Sequence, residues 1–83
     1  MSKAHVIVYS RPGCHLCDEA KEAIASAGCE DFVLDEINIE TSRDLMLKYQ
    51  FDIPVVLING VEAFRHRVDR EKFRELIQMS DML

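Results

Sequence analysis

Apolar positions along the chain change period from element to element, and the changes predict the order of elements. His5 to Tyr9 (HVIVY) is a short β-branched run, apolar on both faces, as in a central strand covered on both sides. Ser10-Arg11-Pro12-Gly13 breaks it with turn chemistry. From His15 to Ala27, Leu16, Ala20, Ala23, Ile24 and Ala27 recur at helical spacing, and Gly28 stands where a helix C-cap glycine belongs. Phe32 to Ile39 reads as a second strand whose alternation slips at Asp35-Glu36. Thr41 or Ser42 can cap a short helix carrying Leu45, Met46 and Tyr49. Ile53 to Ile58 and Val61 to Arg67 flank Asn59-Gly60, a pair suited to a type I′ hairpin because both central residues need positive φ. Asp69 can cap a last helix with Phe73, Leu76 and Ile77 inward, although Lys72 stands where a capping box needs Glu.

The expected order is β-α-β-α-β-β-α. Helical crossovers make the first strands parallel and the Asn-Gly turn makes the last two antiparallel. This is an α/β fold with a four-stranded mixed sheet and three helices. Phe32, Phe51 and Phe73 read as core, Tyr9 as packing beside the loop after the first strand, and His5 as a strand-end surface residue.

Eighty-three residues, 48% hydrophobic and 30% charged, fit one globular domain, residues 1–83, without staples. The net charge of −5 argues against a nucleic-acid partner, because no broad basic surface is available to neutralise phosphates. Basic residues gather at Arg65, His66, Arg67, Arg70, Lys72 and Arg74, and of these Arg65, His66 and Arg67 read as guards of an edge strand or as receivers of an anionic ligand or partner. The first ten residues hold no apolar stretch of the about 7–15 residues of a secretory segment or the about 20 of a membrane span. No membrane role and a cytoplasmic location are therefore expected, and in that reducing setting cysteines are more often catalytic or metal-bound than structural.

There are three cysteines, an odd count. Cys14 and Cys17 lie three positions apart where the first strand's loop meets a helix N-terminus. There the free N–H groups and the helix macrodipole favour a thiolate on Cys14. An ordinary thiol, with pKa about 8.5, is only a few per cent ionised near neutrality. Lowering it by about two units requires about 2.7 kcal/mol. An exposed helix terminus supplies only about 0.3–1 kcal/mol, so N–H···S bonds, Arg11 and His15 are candidates for the rest. Asp18, Glu19 and Glu22 act the other way. Cys17, one turn later on the same face, is placed to resolve a mixed disulfide formed at Cys14.

Three readings remain open from the residues alone: a redox pair, two ordinary cysteines, and a metal-binding module. The last means half of a zinc site, or an iron–sulfur cluster bridging two subunits through Cys14. No second C-x-x-C or H-x₃-H supplies further ligands, and Cys29, His5, His15 and His66 are scattered. Beside these three stands a fourth alternative, a non-catalytic adaptor with idle thiols. Cys29 itself reads as a small semi-buried residue.

With C-x-x-C after the first strand and Ile53-Pro54 opening the third, the chain resembles the thioredoxin superfamily, and within it the small glutaredoxin-like proteins. Tyr9-Ser10-Arg11-Pro12-Gly13-Cys14-His15-Leu16-Cys17 is similar to the glutaredoxin active-site segment, with Arg11 as its basic residue. Cys14-His15-Leu16-Cys17-Asp18-Glu19-Ala20 matches the Cys-x-x-Cys-Asp-x-Ala opening of the glutaredoxin-like domain family. The resemblance implies a thiol–disulfide oxidoreductase that reduces protein or low-molecular-weight disulfides. Cys14 would be the nucleophile and Cys17 the resolving thiol. Pro54 would be a cis-proline facing them, with the Ile53 backbone turned out to pair with an extended peptide. It implies no bound organic cofactor, and glutathione as a possible co-substrate. The electron donor would be glutathione or a thioredoxin reductase, and the protein a monomer. The chain departs from the glutaredoxin pattern at two places. His15 and Leu16 stand where family sites carry a proline, and Phe64 to Val68 replace the Gly-Gly element before the position matched by Asp69.

Overall fold

The structure, a computed structural model, describes residues 3–28 and 31–81. Cys29 lies outside the described residues. The elements run β1 (Ala4–Ser10), α1 (His15–Ala25), β2 (Phe32–Asn38), a 3₁₀ turn (Ile39–Thr41), α2 (Arg43–Tyr49), β3 (Val55–Ile58), β4 (Val61–Arg65) and α3 (Arg70–Asp81). The sheet order is β2-β1-β3-β4. β1 and β2 are parallel, while β1–β3 and β3–β4 are antiparallel. The architecture is the expected thioredoxin-like one of a four-stranded mixed sheet with three helices.

Local chemistry accounts for most boundaries. The Ser42 hydroxyl accepts from the Leu45 amide over 3.3 Å and so starts α2. The Asp69 carboxylate accepts from the Lys72 amide over 3.1 Å and starts α3. Asn59 and Gly60 take φ of 51° and 83°, the left-handed pair that a type I′ turn requires. Asn59 does more than turn the chain: its side-chain oxygen accepts from the His5 amide (2.9 Å) and its own amide donates to the His5 carbonyl (2.8 Å). The hairpin is thereby clamped to β1.

Several elements end sooner than the apolar pattern predicts. α1 stops at Ala25, where the hydroxyl of Ser26 bonds back to the Glu22 carbonyl over 2.8 Å. β3 begins at Val55, two residues after Ile53, because Pro54 has no N–H to give a ladder. β4 ends at Arg65, and His66 adopts φ of 66° with its amide donated to the Pro54 carbonyl over 2.8 Å. One residue of β4 is extra opposite Val56 and Leu57, a bulge that no periodicity announces.

Alternation on β1 and β3 divides the core into two clusters. On one face Val6, Val8, Val56 and Ile58 pack with Ile24 of α1 and with Phe73 and Ile77 of α3. Phe32 meets Phe73 edge-on, with ring centroids 5.3 Å apart. On the other, Tyr9, Val55 and Leu57 pack with Ile39, Leu45, Met46 and Tyr49, and this cluster includes Cys14, Cys17 and Ile53. Phe73 is fully buried, but Phe51 is 84% exposed, which corrects its expected place in the core. The end of the helix is the reason. Tyr49 takes the inward position at the last residue of α2, and Phe51 falls beyond the helix in the turn that follows, on the outer side.

Candidate active site

The site forms where β1 ends and α1 begins. Gly13 takes φ of 78° in the connecting turn, a conformation suited to glycine. Cys14 then sits in extended backbone as the N-cap of α1, and its sulfur accepts from the Cys17 amide over 3.2 Å. Sulfur here takes the place that a serine or aspartate oxygen takes at most helix starts. Cys14 and Cys17 are joined in a disulfide, with their Cα atoms 5.2 Å apart. The two sulfurs differ in access: Cys17 is 1% exposed, whereas Cys14 is half-buried. An incoming nucleophile or disulfide therefore meets Cys14 first.

Ile53 and Pro54 are both buried, the peptide bond between them is cis, and Ile53 belongs to the cluster that contains both cysteines. Tyr9 and Tyr49 stack at 4.9 Å and 19° in the same cluster. Together they close the inner side of the cysteine pair with aromatic and aliphatic surface.

The polar residues singled out in the sequence are placed less uniformly. The Arg11 guanidinium turns to Glu40, 3.4 Å away. His15 is 88% exposed, 4.0 Å from the Glu19 carboxylate one turn along α1. Asp69 lies at the start of α3, where its carboxylate serves as the helix cap. The structure therefore brings Cys14, Cys17 and Ile53 into one cluster, while Arg11, His15 and Asp69 each bond elsewhere.

Three neighbours of the site, Lys21, Glu36 and Asp52, carry no motif. Buried Ser10 donates to Glu36 over 2.9 Å, and Lys21 approaches the same carboxylate at 2.8 Å. Hydrogen bonding to Lys21, and then to Ser10, holds the Glu36 carboxyl below the usual carboxylate range. The same bond to Glu36 raises the Lys21 ammonium above its ordinary value. Asp52, just before Ile53, is held by Arg65. The only hint of Glu36 in the sequence is the slip in alternation at Asp35-Glu36. Asp52 gives no hint, because its partner lies thirteen residues on.

Two cavities flank the cysteine pair. One, of about 280 Å³, is lined by Ser10 to Gly13, Asp18, Lys21, Glu36 and Asn38. The other, of about 140 Å³, lies between Leu16, Glu19 and Ala20 of α1 and the His66–Val68 segment. Among the described residues, no three His, Cys, Asp or Glu side chains converge as metal ligands, and no helix is long and apolar enough to cross a membrane.

A C-x-x-C disulfide capping the first helix of this sheet, with a cis-proline opening β3, defines a thioredoxin-superfamily domain. Residues 5–78 match the family described as "Glutaredoxin-like domain (DUF836)", and the chain belongs to that family. It is 39% identical over 71 residues to the "Glutaredoxin-like protein YDR286C homolog" of Dictyostelium discoideum; the match covers 77% of this chain and 66% of that protein, just under two thirds of its length. Two solved structures resemble it along nearly the whole chain. The X-ray structure of XcR50 from X. campestris is 27% identical, with a TM-score of 0.73 over 89% of this chain and 96% of that one. The solution structure of Ne2328 from Nitrosomonas europaea is 25% identical, with a TM-score of 0.77 over 93% and 94%. A thioredoxin mutant from Halobacterium salinarum, 14% identical with a TM-score of 0.67 over 94% of this chain and 74% of that one, shares the fold.

Proposed function

We propose that the protein is a dithiol–disulfide oxidoreductase that reduces protein or low-molecular-weight disulfides. The observation that carries this reading is the unequal access of two linked sulfurs, Cys14 half-buried at the mouth and Cys17 enclosed beneath it. In the reduced protein the Cys14 thiolate attacks a substrate sulfur, and the substrate S–S bond breaks as the mixed disulfide forms. The Cys17 thiolate then attacks the Cys14 sulfur and releases the second half of the substrate as a thiol. Two protons from the cysteines end on the two product thiols, and two electrons pass to the substrate. The Cys17 amide, directed at the Cys14 sulfur, stabilises the thiolate whenever Cys14 is the attacking or leaving group.

The oxidised pair needs two electrons from outside, and glutathione or a thioredoxin reductase is the donor we assign. A cytoplasmic setting fits a protein that must return to the dithiol form. No bound organic cofactor is required, and the chain acts as a monomer.

The test is direct. Cys14→Ser should abolish disulfide reduction, and Cys17→Ser should leave a mixed disulfide visible by intact mass. Undiminished turnover in the Cys14→Ser protein would refute the reading. Recycling of the oxidised protein by NADPH with either glutathione and its reductase or thioredoxin reductase identifies the donor.

A further inference from the structure

The cavity of about 280 Å³ beside Cys14 holds two basic side chains, Arg11 and Lys21, and both are already engaged by carboxylates of this chain. Arg11 faces Glu40 at 3.4 Å; Lys21 faces Glu36 at 2.8 Å and Asp18 at 3.6 Å. The third base near the pair, His15, has Glu19 at 4.0 Å. Three carboxylates, Glu40, Glu36 and Asp18, thus answer the two bases of this cavity. The opposite flank does not reverse this balance. Its smaller cavity carries one arginine, Arg67, one carboxylate, Glu19, and His66.

We infer that Glu40, with Glu36 and Asp18, determines the charge of the disulfides this site accepts, and that cationic and neutral disulfides are preferred over anionic ones. The inference rests on the oxidoreductase reading and narrows it. An anionic substrate must compete with Glu40 for Arg11 and with Glu36 for Lys21, and it meets a surplus of negative charge. A substrate bearing ammonium or guanidinium groups near its disulfide meets attraction from the same carboxylates. On a protein substrate the corresponding feature is lysine or arginine flanking the reducible cysteine.

Three small disulfides of similar size test this: cystamine (two ammonium groups), hydroxyethyl disulfide (neutral) and dithiodiglycolate (two carboxylates). The pre-reduced protein supplies the electrons in a single turnover, going from dithiol to disulfide as each substrate becomes two thiols. Each rate is divided by that of the same disulfide with dithiothreitol, which removes intrinsic reactivity. At low salt, cystamine should exceed dithiodiglycolate by about fivefold or more, with hydroxyethyl disulfide between them. The spread should collapse in about 1 M salt, where screening acts within about 3 Å. Glu40→Gln should raise the dithiodiglycolate-to-hydroxyethyl disulfide ratio by about threefold, the effect of freeing Arg11 from one opposing charge. Glu75→Gln, on α3 and paired with neither Arg11 nor Lys21, makes the same change of net charge and should leave that ratio where it was.

A flat or reversed order in the normal protein overturns the inference, as does an equal shift from Glu40→Gln and Glu75→Gln. If Glu40→Gln does not fold, the salt dependence of the normal protein decides. Failure of the reduced protein to consume any of the three disulfides refutes the oxidoreductase reading itself, a different result.

Discussion

The Arg65 guanidinium lies 2.9 Å from the Asp52 carboxylate, and so ties the end of β4 to the residue before Ile53 and Pro54. Arg65 also holds Glu62 on its own strand through two hydrogen bonds of 2.6 and 2.9 Å. That pairing raises the Arg65 guanidinium pKa and lowers the Glu62 carboxyl. His66 adds the amide bond to the Pro54 carbonyl. The segment opposite the cysteines is therefore set by β4 rather than by its own backbone.

Loss of this tie should affect activity more than stability. Arg65 and Asp52 are partly exposed, a setting in which ion pairs contribute about 0.2–1 kcal/mol. Asp52→Ala should lower the melting midpoint by only about 2–5 °C. If the segment positions substrate, kcat/KM for a protein disulfide should fall severalfold. Equal kcat/KM in the two proteins would show that the segment holds its place without Asp52.

The Lys21–Glu36 pair should shape the acid limb of stability. Glu36 has a lowered pKa in the fold, so its contribution is present above the ordinary carboxylate value of about 4.3 and is lost as pH falls through the folded value. Lys21 is raised, so its contribution is present below about pH 10.4 and is lost as pH rises through its folded value. Urea unfolding of Glu36→Gln should therefore show a shallower loss of stability from about pH 5 to 2 than the normal protein. Parallel slopes would remove the pair from the pH dependence.

The two phenylalanines at 51 and 73 should respond oppositely to truncation. Phe73 is fully buried against Phe32, so Phe73→Ala should cost about 3–5 kcal/mol in urea unfolding. Phe51→Ala removes a side chain that is 84% exposed and should stay within about 0.5 kcal/mol. A large loss at Phe51 would mean that its ring is covered in solution.

Gly60→Ala tests the hairpin. Its φ of 83° puts an alanine in the left-handed region, where an L side chain costs about 1–2 kcal/mol. No heavy atom lies within 4 Å of the added Cβ, so the loss comes from the backbone alone. A cost near zero, read from the urea midpoint, would show that the turn relaxes to another type.

The sequence and the structure agree where the cause is local. Of the two candidate caps Thr41 and Ser42, Ser42 caps α2, Asp69 caps α3, and Asn59-Gly60 adopts the turn its chemistry demands. Cys14 falls at the helix start that its spacing from the β-branched run implies. In each case the deciding groups lie within about four residues, so their arrangement is written in a short stretch of chain.

What only the tertiary structure decides is which distant groups meet. Arg11 was a candidate to support a thiolate, and packing of β1 against β2 and the turn after it brings Glu40 within reach instead. Phe51 reads as core by composition and lies outside because α2 ends at Tyr49 and the turn after it carries Phe51 to the surface. The bulge in β4 and the grip of Arg65 on Asp52 likewise depend on contacts between separate elements. The sequence by itself determined the order of elements and the place of the cysteine pair, because periodicity and caps act over one or two turns. The charge around that pair came only with the fold, since Coulomb interactions depend on distances in space and no local pattern encodes them.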